Sequence, residues 1–228
     1  MTVVLLHALP LDERMWESQR EVLAADTVVT PRLYELGSSM DEWAEKILDR
    51  VEGRFAAIGA SMGGYCALAI ARRAPERVSG LGLVGSRAEA DPSERLPVRQ
   101  RWLERIAAEG AEGIWAEMGP TVFGNLAGDL AEWVRSLALA QDPEGLSHAV
   151  AAIRDRDDAR DVVASLPCPL LVAVGSADPL VTVEVAGELA NSAPDGRVEV
   201  FDGAGHVPSL EQPERFNAVL LEFLGRLV

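Results

Sequence analysis

The sequence is poor in several residue types, and each scarcity excludes a class of structure. Its 228 residues include only two cysteines, Cys66 and Cys168, each within an apolar run. Two thiols without close spacing form neither a disulfide framework nor a four-ligand zinc site, so the sequence suits a reducing compartment. Long hydrophobic runs are also missing, since no stretch approaches the roughly 18 consecutive apolar residues of a membrane-spanning helix. Because the N-terminus also lacks the regions of a signal peptide, we expect a cytoplasmic protein.

Basic residues are outnumbered, which limits the partners that the protein can attract. Lysine and arginine together number 21 against 36 acidic residues, and the formal net charge is −15. This excess of carboxylates repels phosphate backbones and anionic lipid headgroups, so we expect no nucleic-acid partner and no membrane partner. The sequence also has no phosphate-binding loop, no dinucleotide-binding glycine pattern and no clustered metal ligands. It therefore implies no cofactor and no metal.

The remaining pattern is that of a globular protein with one sizeable core. Hydrophobic residues make up 48% of the chain and charged residues 25%. Short apolar segments alternate with longer segments of helical spacing, which is typical of a parallel sheet covered by helices on both faces. We predict a single α/β domain over residues 1–228 with right-handed crossovers. The predicted strands are residues 3–6, 27–30, 55–59, 81–84, 170–174 and 198–201, and helices are predicted at 41–52, 61–73, 183–191 and 213–227.

This alternation stops between about residues 87 and 166. The segment has no convincing strand, and a structureless loop of that length is improbable. We predict a helical cap over one edge of the sheet, with helices at 96–109, 111–118, 126–140 and 146–154. Most of its large apolar side chains should pack in the core and a minority should line a pocket; they are Trp102, Trp115, Met118, Phe123, Trp133 and Leu139. The run of mixed charge at 154–161 is interpreted as a solvated helix face or turn.

One motif points to nucleophilic catalysis. The strand predicted at 55–59 runs into Gly-x-Ser-x-Gly, with Gly59, Ser61 and Gly63, and then into a helix. A nucleophile on so sharp a turn needs a strained backbone, and residues two before and two after it must be nearly free of side chain. The helix N-terminus also offers the backbone N–H of Met62 to a developing oxyanion. A glycine-rich turn with a capping serine is the alternative, but the strand before and the helix after favour a nucleophile.

A serine nucleophile needs a base and an orienting acid, which follow it in the order acid, then histidine. Of the three histidines, His7 lies at the start of the chain and His148 lies in the inserted segment. His206 remains, in a glycine-containing loop after the last predicted strand. It is therefore the predicted base.

Asp178 is the favoured acid because it comes directly after a buried strand and before His206. It can also be interpreted as a turn or N-cap aspartate, which is common before proline. Asp202 is a rival carboxylate, although it lies so near His206 that it more naturally shapes the loop. Glu89 and Asp91 also compete for this role, because they follow the preceding strand.

Together these motifs resemble the α/β-hydrolase superfamily, and most of all its small cofactor-free esterases, 3-oxoadipate enol-lactonases and so-called haloperoxidases. The matches lie at residues 7–10, 59–64, 175–178 and 203–206, and the similarity extends from residue 2 to about 225. The resemblance implies a catalytic triad and two backbone oxyanion donors; the triad is Ser61, Asp178 and His206, and the donors are the N–H groups of Leu9 and Met62. Relatives commonly start with an antiparallel hairpin that this chain lacks. We therefore expect about six parallel strands, with residues 27–30 at an edge.

The nucleophile restricts the activity. Haloalkane dehalogenases and epoxide hydrolases resemble this fold but attack with an aspartate, whereas position 61 is serine. We predict a serine hydrolase that cleaves a small, mostly apolar carboxylic ester, lactone or thioester through an acyl-enzyme on Ser61. The sequence leaves open lyase, acyl-transfer, carbon–carbon cleavage or enol-lactone chemistry on the same triad, and a non-catalytic binding module. It does not indicate an oligomeric state.

The sequence also predicts which substrate charge the protein prefers. The net charge and a cap rich in Trp, Met and Phe, without an evident basic cluster, favour neutral over anionic substrates. Arg87 and Asp91 stand at the entrance to the cap. They are interpreted either as substrate contacts or as a hinge ion pair, and Arg87 is the residue that would reverse the preference.

Overall fold

The computed structural model describes residues 1–227, which are built around one parallel sheet of six strands. The strands stand in the order β2-β1-β3-β4-β5-β6, so the predicted number of strands and the edge position of β2 are confirmed. The strands are β1 (Thr2–Leu6), β2 (Thr27–Val29), β3 (Phe55–Ala60), β4 (Val78–Val84), β5 (Leu170–Gly175) and β6 (Gly196–Phe201). Every residue of β3 and β5 is buried, as expected for strands covered on both faces.

Helices cover both faces of this sheet. Within residues 1–227 none is long and apolar enough to cross a membrane. The helices are α1 (Glu17–Val22), α2 (Met40–Arg50), α3 (Met62–Arg73), α4 (Leu96–Glu109), α5 (Ala111–Val122), α6 (Gly128–Leu139), α7 (Pro143–Arg154), α8 (Arg160–Ala164), α9 (Val183–Ser192), α10 (Pro208–Glu211) and α11 (Pro213–Gly225). The predicted helices at 41–52, 61–73, 183–191 and 213–227 correspond to α2, α3, α9 and α11 with shifts of one or two residues at their ends.

Several element boundaries differ from the prediction, among them the start of β4 and the end of α5. β4 begins at Val78, three residues early, although Ser79 and Gly80 resemble a turn. A Cβ on Gly80 would lie 2.5 Å from a methyl carbon of Leu227 and 3.1 Å from the ring of Phe223, so the glycine allows α11 and the residue after it to pack on the strand. α5 continues through Pro120 to its end, and its last turn is held by a hydrogen bond from the N–H of Phe123. Pro120 has no N–H, so this helix lacks one of its backbone hydrogen bonds.

The inserted helices α4 to α8 lie between β4 and β5 in the chain, and a buried ion network joins the start of the insertion to α4 and to the residues after α7. Asp91 pairs with Arg99 at 2.7 Å and with Arg156 at 3.0 Å, and its side chain is 2% exposed. Burial raises the pKa of Asp91, but the hydrogen bonds and charges of the two arginines outweigh it and lower that pKa. Arg156 also stacks over Tyr65 of α3, 4.2 Å from the ring centre.

This network corrects one interpretation of the sequence. Arg156 belongs to the run of mixed charge at 154–161, for which the sequence predicts a solvated face, yet its side chain is 6% exposed. Its neighbours Arg154 and Arg160 do pair with aspartates on the surface. Asp91 therefore pairs with Arg99 and Arg156 and not with Arg87, so a hinge ion pair between Arg87 and Asp91 is absent from residues 1–227.

Candidate active site

Ser61 forms a one-residue turn between β3 and α3. Its backbone has φ 49° and ψ −110°, and it is the one non-glycine residue among residues 1–227 with a positive φ. Its N–H donates to the carbonyl of Val84 at the end of β4, at 2.7 Å. Strained backbone of this kind persists only where the surroundings enforce it, and it concentrates at functional sites.

The glycines around Ser61 allow three elements to meet. A Cβ on Gly59 would lie 2.2 Å from the carbonyl oxygen of Gly63, and a Cβ on Gly63 would lie 2.1 Å from the carbonyl oxygen of Leu6. Both distances are far below any contact a real side chain makes, so the predicted need for glycine at these positions is confirmed. The five-residue motif does not include Gly64, but a Cβ there would lie 2.1 Å from the hydroxyl of Ser86.

His206 and Asp178 are hydrogen-bonded to each other in the buried part of the site. Nδ1 of His206 lies 2.9 Å from Oδ2 and 3.0 Å from Oδ1 of Asp178. Oδ1 also accepts the N–H groups of Leu180 at 2.8 Å and Val181 at 3.1 Å. Asp178 is thus both a turn aspartate and the partner of the histidine, so the two interpretations are compatible.

This pairing determines which nitrogen of His206 can act as a base. The carboxylate can only accept, so Nδ1 carries the proton and Nε2 carries the lone pair. Nε2 is buried and has no hydrogen-bond partner in residues 1–227. No hydrogen bond joins it to Ser61 in this part of the chain. Hydrogen bonds between nucleophile and base are often long when no substrate is bound.

The ends of β3, β4 and β5 bring Ser61 and His206 to the same edge of the sheet. Gly85 lies directly after Val84, the last residue of β4, whose carbonyl accepts the N–H of Ser61. A Cβ on Gly85 would lie 3.1 Å from both Nδ1 and Cε1 of His206, so the imidazole packs against this backbone. Both predicted residues therefore contact the backbone at the end of β4, Ser61 through its N–H and His206 through its ring.

None of the three rival carboxylates contacts the imidazole. Asp202 is exposed and accepts a hydrogen bond from the hydroxyl of Ser176 at 3.3 Å. Asp91 is committed to its two arginines, and Glu89 lies in the wall of a cavity. Of the candidate carboxylates, Asp178 is the one that the structure places beside His206.

The backbone N–H groups of Leu9 and Met62 lie in the loop after β1 and at the start of α3. Neither donates to any atom of residues 1–227. The loop after β1 is held by His7, whose Nε2 accepts the N–H of Leu33 at 3.0 Å and whose Nδ1 lies 3.2 Å from the carbonyl of Ala8. Burial lowers the pKa of His7 to about 4, so this histidine is neutral at pH 7.

A cavity of about 560 Å³ lies against His206. Trp102 and Met118 from the inserted helices line it, whereas Trp115 stacks on Phe123 at 5.6 Å. The prediction that only a minority of the large apolar residues would line the pocket is therefore confirmed. Its other apolar walls are Val98, Val122, Leu180 and Val181.

The same cavity is richer in arginine than expected. Five arginines and three carboxylates line it, so the expectation of a roof without a basic cluster is wrong. Four of these arginines lie within residues 87–101, where acidic residues are interspersed with them, and the fifth follows α7; they are Arg87, Arg95, Arg99, Arg101 and Arg156. Within residues 1–227, no three His, Cys, Asp or Glu side chains are grouped so as to hold a metal ion.

Most of these arginines are neutralised locally. Arg99 and Arg156 share Asp91, and Arg101 pairs with Glu117 at 2.7 Å. Arg87 and Arg95 have no carboxylate within 4.0 Å in residues 1–227, and Arg87 donates instead to the carbonyl of Leu180 at 2.8 Å. Two positive charges at the cavity are thus without an acidic partner.

Known proteins resemble this chain along nearly all of its length. The model of the alpha/beta hydrolase family matches residues 3–219. A pimeloyl-[acyl-carrier protein] methyl ester esterase of Edwardsiella ictaluri is 29% identical, over 99% of this chain and 94% of that protein.

Solved structures also resemble this chain along nearly all of its length. A thermophilic esterase of Thermogutta terrifontis, solved with malate bound, has a TM-score of 0.93 and 33% identity, covering 100% of this chain and 90% of its own. The enol-lactonase of Burkholderia xenovorans superposes with a TM-score of 0.80 over 98% of this chain and 91% of its own. At 21% identity that second likeness concerns the fold alone.

Proposed function

This chain belongs to the alpha/beta hydrolase family and is a carboxylic ester hydrolase, and from that premise we propose that it cleaves its substrate through an acyl-enzyme on Ser61. One observation carries the proposal. The buried pair of Asp178 and His206 leaves Nε2 unprotonated and without a partner, at the sheet edge where the strained turn holds Ser61. The substrate is a small ester, lactone or thioester.

In the first half of the reaction, Nε2 of His206 takes the proton of the Ser61 hydroxyl while Oγ attacks the substrate carbonyl carbon. The oxygen that becomes negative is stabilised by the N–H groups of Leu9 and Met62, which have no partner within the described chain. The tetrahedral intermediate collapses, the bond to the leaving oxygen or sulfur breaks, and His206 returns the proton to it. Asp178 keeps the imidazole in the correct tautomer and stabilises its cation.

In the second half, water resolves the acyl-enzyme. His206 takes a proton from water as the water oxygen attacks the acyl carbon, and then returns that proton to Oγ of Ser61. The helices inserted between residues 87 and 166 act as a cap on the single domain, because they supply one wall of the cavity beside His206. A closed wall excludes bulk water and strengthens electrostatic stabilisation of the transition state.

The apolar wall suits an uncharged acyl group, but one observation favours a second candidate. Arg87 and Arg95 are unpaired by carboxylates within residues 1–227, and either can bind an anionic group on the substrate. Comparing kcat/KM for a neutral ester and for a carboxylate-bearing ester of equal chain length decides between the two. Faster turnover of the anionic ester, lost in Arg87→Met, would favour opening of an anionic ester or lactone.

A panel of activated esters, lactones and thioesters, combined with a fluorophosphonate probe, tests the proposal. We expect turnover and labelling at Ser61, and both should be lost in Ser61→Ala, with kcat reduced on the order of 10³-fold or more. Ser147→Ala, which removes an exposed hydroxyl from α7, is the control and should leave both unchanged. Labelling without ester turnover would point to lyase or transferase chemistry, and neither result would point to a binding module.

A further inference from the structure

The loop that carries His206 depends on a carboxylate outside the motifs of the sequence. Glu211, the last residue of α10, accepts the N–H of Gly205 at 2.7 Å and the N–H of Val207 at 3.0 Å. These are the two residues that flank His206. Both are buried, and neither N–H has another partner in residues 1–227. Loss of the carboxylate would leave two buried donors unsatisfied, which is costly enough to move the loop.

The same carboxylate is held by the inserted helices. Asn125, between α5 and α6, donates its Nδ2 to Glu211 at 2.7 Å and to the carbonyl of Gly203 at 3.1 Å. On the opposite side the loop is fixed to the end of β5, where the N–H of Ala177 donates to the carbonyl of Ala204 at 2.9 Å. The loop is therefore held between the sheet edge and the insertion.

We propose that Glu211 is a positioning residue for His206 and that Asn125, through Glu211 and through the carbonyl of Gly203, couples the inserted helices to that position. The inference rests on the proposed function, which assigns the base to His206. Asp178 and Gly85 constrain one edge and one face of the imidazole. The direction of Nε2 is then set by the peptides on either side of His206, and Glu211 holds both.

Glu211→Gln tests this assignment with little change in size. The amide has one acceptor oxygen and turns an NH₂ group toward one of the two flanking N–H groups. We expect kcat to fall about 10²-fold with KM within about twofold, since a misplacement on the order of 1 Å has that effect on rate. The downfield proton resonance of the hydrogen bond between His206 Nδ1 and Asp178 should shift or broaden. Glu214→Gln, an exposed change at the start of α11, is the control and should alter neither.

Asn125→Ala is the second variant, and it carries the test if Glu211→Gln does not fold. It keeps the bonds between Glu211 and the loop but removes the link to the insertion. A fall in kcat of about tenfold is expected, with the same change in the resonance.

A purely structural role predicts a different pattern. It would lower the melting temperature of both variants but leave kcat and the resonance unchanged well below that temperature, and this result would overturn the proposal. A lower kcat with an unaltered resonance would also overturn it, because His206 would not have moved. Failure of the proposed function is recognised separately, by ester turnover that survives Ser61→Ala.

Discussion

At the scale of the residue, the orienting acid does more than face the histidine. Asp178 accepts two backbone N–H groups as well as Nδ1 of His206, so it has little freedom to rotate. Asp202 lies in the same loop region but is exposed, and its carboxylate bonds to a serine hydroxyl. These environments predict opposite consequences for the same substitution.

Asp178→Asn should reduce kcat by about 10³- to 10⁴-fold, because its amide NH₂ faces Nδ1 and favours the wrong imidazole tautomer. KM should change little. Asp202→Asn is the matched control and should leave kcat within about twofold of the unmodified enzyme, since its interaction is a solvent-exposed one. Steady-state kinetics with one activated ester decides the assignment. A larger loss of kcat in Asp202→Asn would transfer the acid role to that residue.

His7 gives a residue-scale prediction about stability and pH. Its pKa is lowered to about 4 from 6.5, chiefly by burial, so the folded chain binds fewer protons than the unfolded chain between these values. Stability from the neutral imidazole is fully present above pH 6.5 and is lost as the pH falls toward 4. Urea unfolding at pH 7 and pH 5 should differ by about 2 kcal/mol from this group. His7→Gln should lose that difference, and an equal pH dependence in both proteins would contradict the burial argument.

At the scale of the element, close packing of β1, β3 and α3 sets the position of Ser61. Gly63 has the carbonyl of Leu6 2.1 Å from the position of a Cβ, whereas Gly187 within α9 has nothing within 4 Å. Both glycines lie in α-helices, Gly63 in the first turn of α3 and Gly187 inside α9. The difference between them is tertiary.

Gly63→Ala should therefore destabilise the protein by about 3 kcal/mol or more, because backbone atoms of a buried strand cannot move aside. Gly187→Ala should stabilise it by about 0.5 to 1 kcal/mol through helix propensity alone. Denaturant unfolding of the two variants measures both effects. Similar stability of the two would mean that α3 can shift away from β1.

The longer helices and the strands were predictable because burial of one or both faces gives their apolar residues a regular spacing in the sequence. The helices that were not predicted are short. α1, α8 and α10 have between four and six residues, too few to show helical spacing. α10 matters beyond its length, since it ends on Glu211. A helix of one turn shows no periodic pattern in the sequence. The role of α10 is visible only in the folded chain, where Glu211 accepts the N–H groups of Gly205 and Val207.

The candidate site also contains residues that the sequence predicts and residues that it does not. Ser61 could be found because the turn that holds it demands glycine at local positions, and His206 because histidine is scarce. Asn125 and Glu211 are 86 residues apart and meet only in the folded chain. Four of the cavity's arginines lie within residues 87–101, but acidic residues are interspersed with them, so the local sequence shows little excess of positive charge.

At the scale of the whole molecule, a buried ion network holds the inserted segment together and contacts α3 through one of its arginines. The centre of this network is Asp91, which lies between Arg99 and Arg156 with all three side chains at most 10% exposed. Arg156 in turn rests on Tyr65, in the helix that follows Ser61. The ion network therefore forms part of the cavity wall and links the insertion to α3.

Substitution of Asp91 should show how much the ion network contributes to the free energy of unfolding. Asp91→Asn leaves two buried guanidinium groups without a compensating charge, so the free energy of unfolding at pH 7 should fall by about 3 to 5 kcal/mol. Asp157→Asn is the matched control, because Asp157 pairs with Arg72 at 2.9 Å but is 70% exposed, and its loss should stay below about 1 kcal/mol. Urea unfolding followed by tryptophan fluorescence reports on both, since Trp102 stands in the insertion beside Arg99. Equal losses in the two variants would mean that the buried network stabilises the protein no more than an exposed ion pair does.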